Sequence, residues 1–295
     1  MIWKELADST PIEIQFPDTI TEGACALQSS NLPVKRDLIL AYVLSIAGAI
    51  LMVASSLGGL LYPFAFYPTS DLLQSFIVND LVNLFVGPLI LFASMWLTRR
   101  GKLIGLLFWP GALLYVIYNY IAYAFGTPLS MFTVAYLTLV LLSSYNILDL
   151  LKSIDKKSVQ ERLSEGVPVR TAGWVLVMFG VLFTFRAISM IAEGSTNQTM
   201  LPISEIGVLI ADISLSILWI AGGVLLLRRR PLGHVSGLGL LFAASILFIS
   251  LIMFLLLKPL LIDVPFILVD VIVVFIMGLI CFIPFGLFVR KVVAS

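Results

Sequence analysis

One arginine and three aspartates stand inside stretches that otherwise read as lipid-soluble: Arg186 in FTFRAIS, Asp80 in VNDLVN, Asp212 in LIADIS and Asp270 in ILVDVI. A carboxylate accepts hydrogen bonds, a guanidinium donates them, and asparagines such as Asn83 and Asn119 do both. Together these groups could bind a small polar or cationic solute, or pass protons. In that reading Asp80, Asp212 and Asp270 are acceptors, Arg186 is the internal counter-ion, and Asn83 and Asn119 are neutral ligands. An unpaired Arg or Asp at the centre of a membrane helix costs roughly 2.5–3.5 kcal/mol, so such residues are expected to face the protein interior and pair. One cation against three acids leaves the layer at a formal charge of −2. The surplus acid has to be protonated, hydrated or matched by something from outside.

The elements that carry these residues follow from composition. Of the 295 residues, 60% are hydrophobic and 12% charged, and the mean hydropathy is +1.08. A soluble domain carries about 25% charged residues. Apolar runs long enough to cross a bilayer recur along the chain, continuous rather than alternating, which predicts helices and not a barrel. Eight spans are expected, at 38–62, 76–97, 103–125, 129–151, 171–192, 206–227, 235–257 and 264–289. The fold class is therefore an all-α polytopic transmembrane bundle. Its organisation reads as a tail over 1–37, spans 1–4 over 38–151, a linker over 152–170, and spans 5–8 with a short tail over 171–295.

The cations orient this chain. Of the 18 Lys and Arg residues, 16 fall in the two tails and in the connections after spans two, four and six. The exceptions are Lys258 and Arg186. By the positive-inside rule both termini are expected on the cytoplasmic side. In this frame Asp80, Asn83, Asn119, Arg186, Asp212 and Asp270 all lie within about 6–11 Å of the outer boundary, at about 1.5 Å per residue. Asn79, Tyr115, Tyr118, Tyr120 and Tyr123 extend the layer. A plainer account is that these groups are interhelical glue, snorkelling charges and an interfacial aromatic belt.

Two further patterns bear on architecture. Spans two and six each begin with an aspartate, contain glycine near the middle and close in a basic cluster before a glycine-containing helix start. This suggests a parallel repeat of four plus four helices, with a site at the interface of the halves. Gly87-Pro88 in the middle of span two predicts a kink just below Asp80 and Asn83.

Other chemistry is not indicated. His234, the one histidine, is expected in a solvated loop on the basic side, which excludes a Ser-His or HExxH site in the outer layer. The sequence has no Walker A motif and no GxGxxG, so no nucleotide cofactor is expected, and no metal site either. The near-neutral net charge of +1 argues against a nucleic-acid partner. Cys25 and Cys281 are expected in different compartments, and Asn197-Gln198-Thr199 fits a glycosylation sequon.

Residues 96–126, WLTRRGKLIGLLFWPGALLYVIYNYIAYAFG, resemble multi-pass membrane proteins of prokaryotes that have no assigned activity. The RRG-x-L start, the Trp-Pro-Gly step and the Tyr-Asn-Tyr exit carry the likeness. It implies a prokaryotic inner or plasma membrane and assigns no site residue. The expected function is a pocket open to the outer side that takes a small polar or cationic solute. The alternative is a sensor or assembly component whose polar layer only holds helices together. An enzyme on lipid-linked substrates is weaker, because the outer loops are short and lack a paired nucleophile and base.

Overall fold

Inside a bilayer no water is present to satisfy backbone groups, so each apolar run has to close its own hydrogen bonds as a helix. The structure, a computed structural model, describes residues 32–163, 168–197, 200–262 and 264–294. It contains α1 (Ile39–Leu61), α2 (Pro63–Phe66), α3 (Ser70–Arg99), α4 (Leu103–Gly126), α5 (Met131–Ser153), α6 (Lys156–Leu163), α7 (Val169–Asn197), α8 (Ile203–Leu227), α9 (Pro231–Leu261) and α10 (Leu268–Ala294). Eight of these are long and apolar enough to cross a membrane. The chain is an integral membrane protein, and apolar side chains in mid-helix such as Leu89, Leu141 and Met178, all more than 65% exposed, meet lipid. Most of the sequon, Cys25 and the tail up to residue 31 lie outside the described residues.

Several helices run past the expected ends. α3 begins at Ser70, six residues before the expected start, because Thr69 caps it by accepting the Leu72 N–H. α7 continues to Asn197. The linker is not plain loop. Asp155 accepts from the Lys157 N–H and the Ser158 hydroxyl at the start of α6, and the Ser158 bond foremost holds its carboxyl below the usual range. Val159 and Leu163 of α6 are buried, and α6 packs on α9. The segment before α1 pairs with the end of α5 through a Val34–Ile154 bridge.

The helix at the centre is α4. It packs against α3, α5, α8, α9 and α10, and 78% of its apolar window is buried, against 22–44% for the other seven spans. Such a helix needs small residues where neighbours cross. A Cβ on Gly111 would lie 2.2 Å from the Gly239 carbonyl oxygen of α9, and one on Gly207 of α8 would lie 2.2 Å from the Ala122 carbonyl oxygen of α4. Backbones touch at both points.

The turns at the basic end repeat one geometry. After α3, the Arg100, Gly101 and Lys102 N–H groups donate to Trp96, Thr98 and Leu97 carbonyls at 3.0, 2.9 and 3.0 Å. After α8, Arg228, Arg229 and Arg230 donate to Val224, Leu226 and Leu225 at 2.9, 2.9 and 3.0 Å. Both are Schellman caps, whose second-to-last residue adopts the left-handed conformation. Gly101 takes it at φ 73° and Arg229 at φ 50°. His234 sits in the first turn of α9 and is only 3% exposed. The solvated-loop expectation is wrong because α9 begins at Pro231, earlier than expected.

Arg229→Gly is expected to raise thermal stability in detergent by about 1 kcal/mol, since the left-handed penalty disappears; an unchanged or lower melting temperature would count against the cap. Gly207→Val is expected to cost about 2–3 kcal/mol by overpacking. Gly286→Ala, where a Cβ meets nothing within 4 Å, is expected to be neutral or slightly stabilising in the same melts.

Candidate functional site

Two carboxylates, not three, are buried in the bundle, and they lie in separate places. Asp212 on α8 is only 1% exposed at its side chain. Its Oδ2 accepts from the Arg186 guanidinium of α7, and its Oδ1 accepts from the Tyr118 hydroxyl of α4 at 2.9 Å. Arg186 itself is 48% exposed at its side chain. The pair is thus one-sided, with the acid sealed and the guanidinium open.

Asp80 on α3 is 2% exposed and has no basic side chain within ion-pair distance among the described residues. Tyrosines hold it instead. The Tyr67 hydroxyl donates to Oδ2 at 2.6 Å and the Tyr123 hydroxyl to Oδ1 at 2.8 Å. Tyr67 reaches in from the C-cap of α2, while Tyr120 and Tyr136 pack around Tyr123 with ring centroids 5.6 and 5.2 Å away. α1 contributes an absence: a Cβ on Gly59 would fall 1.9 Å from Asp80 Oδ2.

Amides join this cage to the rest of the layer. Asn79 Nδ2 donates to Tyr123 Oη and to Asn119 Oδ1, both at 3.3 Å. Asn119 Nδ2 donates to the Tyr115 carbonyl at 2.9 Å. Asn83 is fully buried and accepts from the Tyr115 hydroxyl at 2.8 Å, which in turn accepts from Ser250 of α9 at 3.2 Å.

Asp270 joins none of this. It is exposed in the first turn of α10 and has no hydrogen bond or ion pair among the described residues. The expected span start at 264 put it too deep; α10 begins at Leu268, so Asp270 lies about 3 Å along the axis from the first residue. The longer helices shift the others the opposite way. Asp80 is ten residues from the start of α3 and Arg186 eleven from the end of α7, about 15–17 Å from those ends. The expectation of three aspartates gathered around one arginine is therefore corrected to one aspartate, with Asp80 solvated by phenols. No charge of −2 collects around Arg186.

A cavity of about 330 Å³ lies between α3, α4, α7, α8 and α9. Arg186, Asn79, Asn119 and Tyr118 line it midway, with Trp219, Phe183, Leu215 and Phe248 beyond them. Glu205 and Lys258 line it near the start of α8 and the end of α9, the bundle end opposite the basic turns. Asp80 and Asn83 are not on its wall. Sequence reasoning missed Tyr67, Gly59, Glu205 and Trp219. Tyr67 and Gly59 carry no signal outside the folded chain, while Glu205 and Lys258 are a charge of each sign near the same bundle end. α3 continues through Gly87-Pro88 to Arg99, and a Cβ on Gly87 would lie 2.6 Å from Met52 Sδ of α1. The glycine there serves packing. Among the described residues no group of three His, Cys, Asp or Glu side chains is arranged to hold a metal. Cys281 is buried against Ser245 and the Leu241 carbonyl.

The chain matches no protein family, no curated protein and no solved structure.

Gly59→Ala is expected to destabilise the protein by at least about 2 kcal/mol, because the methyl enters the Asp80 carboxylate. Asp80→Ala in the same chain is expected to recover part of that loss, and a double-mutant cycle in thermal melts measures the coupling. Additive effects would show that α1 and the phenol cage do not touch as described. Tyr67→Phe, which strips one donor from a buried carboxylate, is expected to cost about 1–3 kcal/mol.

Proposed function

We propose that the protein binds a small solute in the cavity between α3, α4, α7, α8 and α9. The observation that carries this reading is the half-exposed Arg186 guanidinium on the wall of a 330 Å³ space, with its counter-charge Asp212 sealed behind it. Ligand pockets typically begin near about 300 Å³ and combine apolar walls with a few placed polar groups. An arginine kept only to hold helices together gains nothing from remaining open on one side. Solute recognition is the step that a transporter and a ligand sensor share; Arg186, Asn79, Asn119 and Tyr118 form the polar wall, and Asp212 holds Arg186 from behind. Asp80 and Asn83 support that wall from behind, and Asp270 has no part in it.

The cation asymmetry supports cytoplasmic termini and a cavity mouth on the outer side. The resemblance of residues 96–126 supports a prokaryotic plasma membrane. We also propose that the chain is a tandem repeat of two four-helix units in one orientation. The shared cap geometry at Arg100–Lys102 and Arg228–Arg230 supports it. So does the mutual contact of Gly111 and Gly239, which fall at the same offset (239 − 111 = 228 − 100 = 128). At that offset Asp80 corresponds to Val208 and Asp212 to Leu84, so the aspartates are not counterparts and the Arg186–Asp212 pair belongs to the second unit alone.

A second reading, an assembly or sensor component with a purely structural polar layer, draws on the phenol cage. Both oxygens of Asp80 are satisfied internally and neither faces the cavity.

Cysteine labelling separates the two. With Cys25 and Cys281 replaced by alanine, Val208→Cys is expected to react with a membrane-impermeant thiol reagent only from the side away from the basic turns. Protection of Val208→Cys from both sides would sink the solute-binding reading and leave the structural one.

A further inference from the structure

Deep in the cavity the unspent charged group is a donor, while the unspent carboxylate on the wall, Glu205, lies near the bundle end. Arg186 has five N–H donors and uses one nitrogen, toward Asp212, with no other partner among the described residues. Trp219 also lines the cavity, with its ring face toward the space and its unpartnered indole Nε1 sealed from it. The donors beside Arg186 are committed: Tyr118 to Asp212, Asn79 to Asn119 and Tyr123, and Asn119 to Tyr115. The deep acids are equally committed. Both oxygens of Asp212 accept hydrogen bonds, and Asp80 lies off the wall with both of its own accepted. A cation entering this space meets no free carboxylate until it returns to Glu205 near the bundle end. An oxyanion meets a guanidinium whose planar fork suits two oxygens.

The rest of the wall sets the body of the ligand. Beyond Arg186 come Phe183, Leu215, Trp219, Leu247 and Phe248, all apolar apart from the indole N–H. Toward the bundle end Lys258, its ammonium 5.7 Å from the Phe254 ring centroid, lines the cavity with Glu205 and has no ion-pair partner among the described residues, so it adds a further cation on the approach.

Resting on the solute-binding reading above, we infer that the cavity selects an amphiphilic anion, a carboxylate on an apolar or aromatic body, and disfavours cations. The carboxylate oxygens take the free Arg186 N–H groups, and the body fills the apolar end. Asp212 balances Arg186 from behind, so the empty cavity needs no bound counter-ion.

Three probes with one body and different heads test this on the full chain in zwitterionic-lipid nanodiscs: 3-phenylpropionate, 3-phenylpropanamide and 3-phenylpropylamine, titrated at pH 7 by calorimetry. The carboxylate is expected to bind at least about 10-fold more tightly than the amine, the ratio expected of a charge-assisted bidentate contact. Arg186→Gln alone leaves Asp212 unpaired and is prone to misfold. The double variant Arg186→Gln, Asp212→Asn removes both charges and is expected to bring the carboxylate-to-amine ratio to about 1. Amine binding as tight as carboxylate binding, or a preference that survives in the double variant, overturns the inference. Labelling of Val208→Cys without binding of any probe overturns the ligand class alone, whereas absence of both overturns the solute-binding reading itself.

Discussion

A carboxylate placed among apolar helices must be given donors by the protein, because neither lipid nor buried hydrocarbon supplies any. In this bundle one helix meets that requirement twice. Tyr118 of α4 turns toward α8 and donates to Asp212, while Tyr123, five residues on, turns toward α3 and donates to Asp80. Asn119 and Tyr115 on the same helix anchor Asn79 and Asn83. Much of the architecture follows from that. A helix whose sides all carry polar partners for its neighbours has to be surrounded, and α4 is the most buried of the eight spans. Being surrounded, it needs glycine where backbones cross, at Gly111 against α9 and at Gly126 against Gly207 of α8.

The two acids receive different treatment, and the difference is physical. Asp80 is enclosed by phenol hydroxyls, with Gly59 leaving room for its carboxylate against α1. Two neutral donors at 2.6 and 2.8 Å give it a rigid place, one of the uses to which buried polar networks are put. Asp212 instead shares its load between a phenol and a guanidinium that faces the cavity. A fixed acid in this position orients the arginine, so that its remaining N–H groups face the open space. The same residue type thus closes one half of the bundle and arms the other. If the halves are copies of one unit, the arming belongs to α7 and α8 alone.

The basic end has a different character. Backbone hydrogen bonds join the segment before α1 to the α5–α6 junction, and Gln160 of α6 donates to the Arg229 carbonyl at 2.8 Å. Connections that are far apart in the chain are thereby tied into one layer, and the positive charges ride on an ordered surface. At the opposite end the connections carry few such ties, and that is where the cavity lies.

Much of this was written in the sequence. Eight apolar runs fixed the number of spans, since each must be about 20 residues to cross and must be helical to satisfy its backbone. The cations distinguished two ends of the bundle, and the rarity of charge within spans singled out Arg186, Asp80 and Asp212. Depth was legible only roughly: helix ends depend on caps and on packing past the bilayer, as with Thr69 and Pro231, and a shift of four residues removed Asp270 and His234 from their expected settings. What the sequence alone did not determine was who meets whom. Residues that share a depth can lie on any face of their helices, and a rotation of about 100° per residue decides whether an acid finds a guanidinium, a ring of tyrosines or lipid. Only the packed bundle, with α4 at its centre and Tyr67 folded back from a loop, made Asp212 the partner of Arg186 and left Asp80 to the phenols.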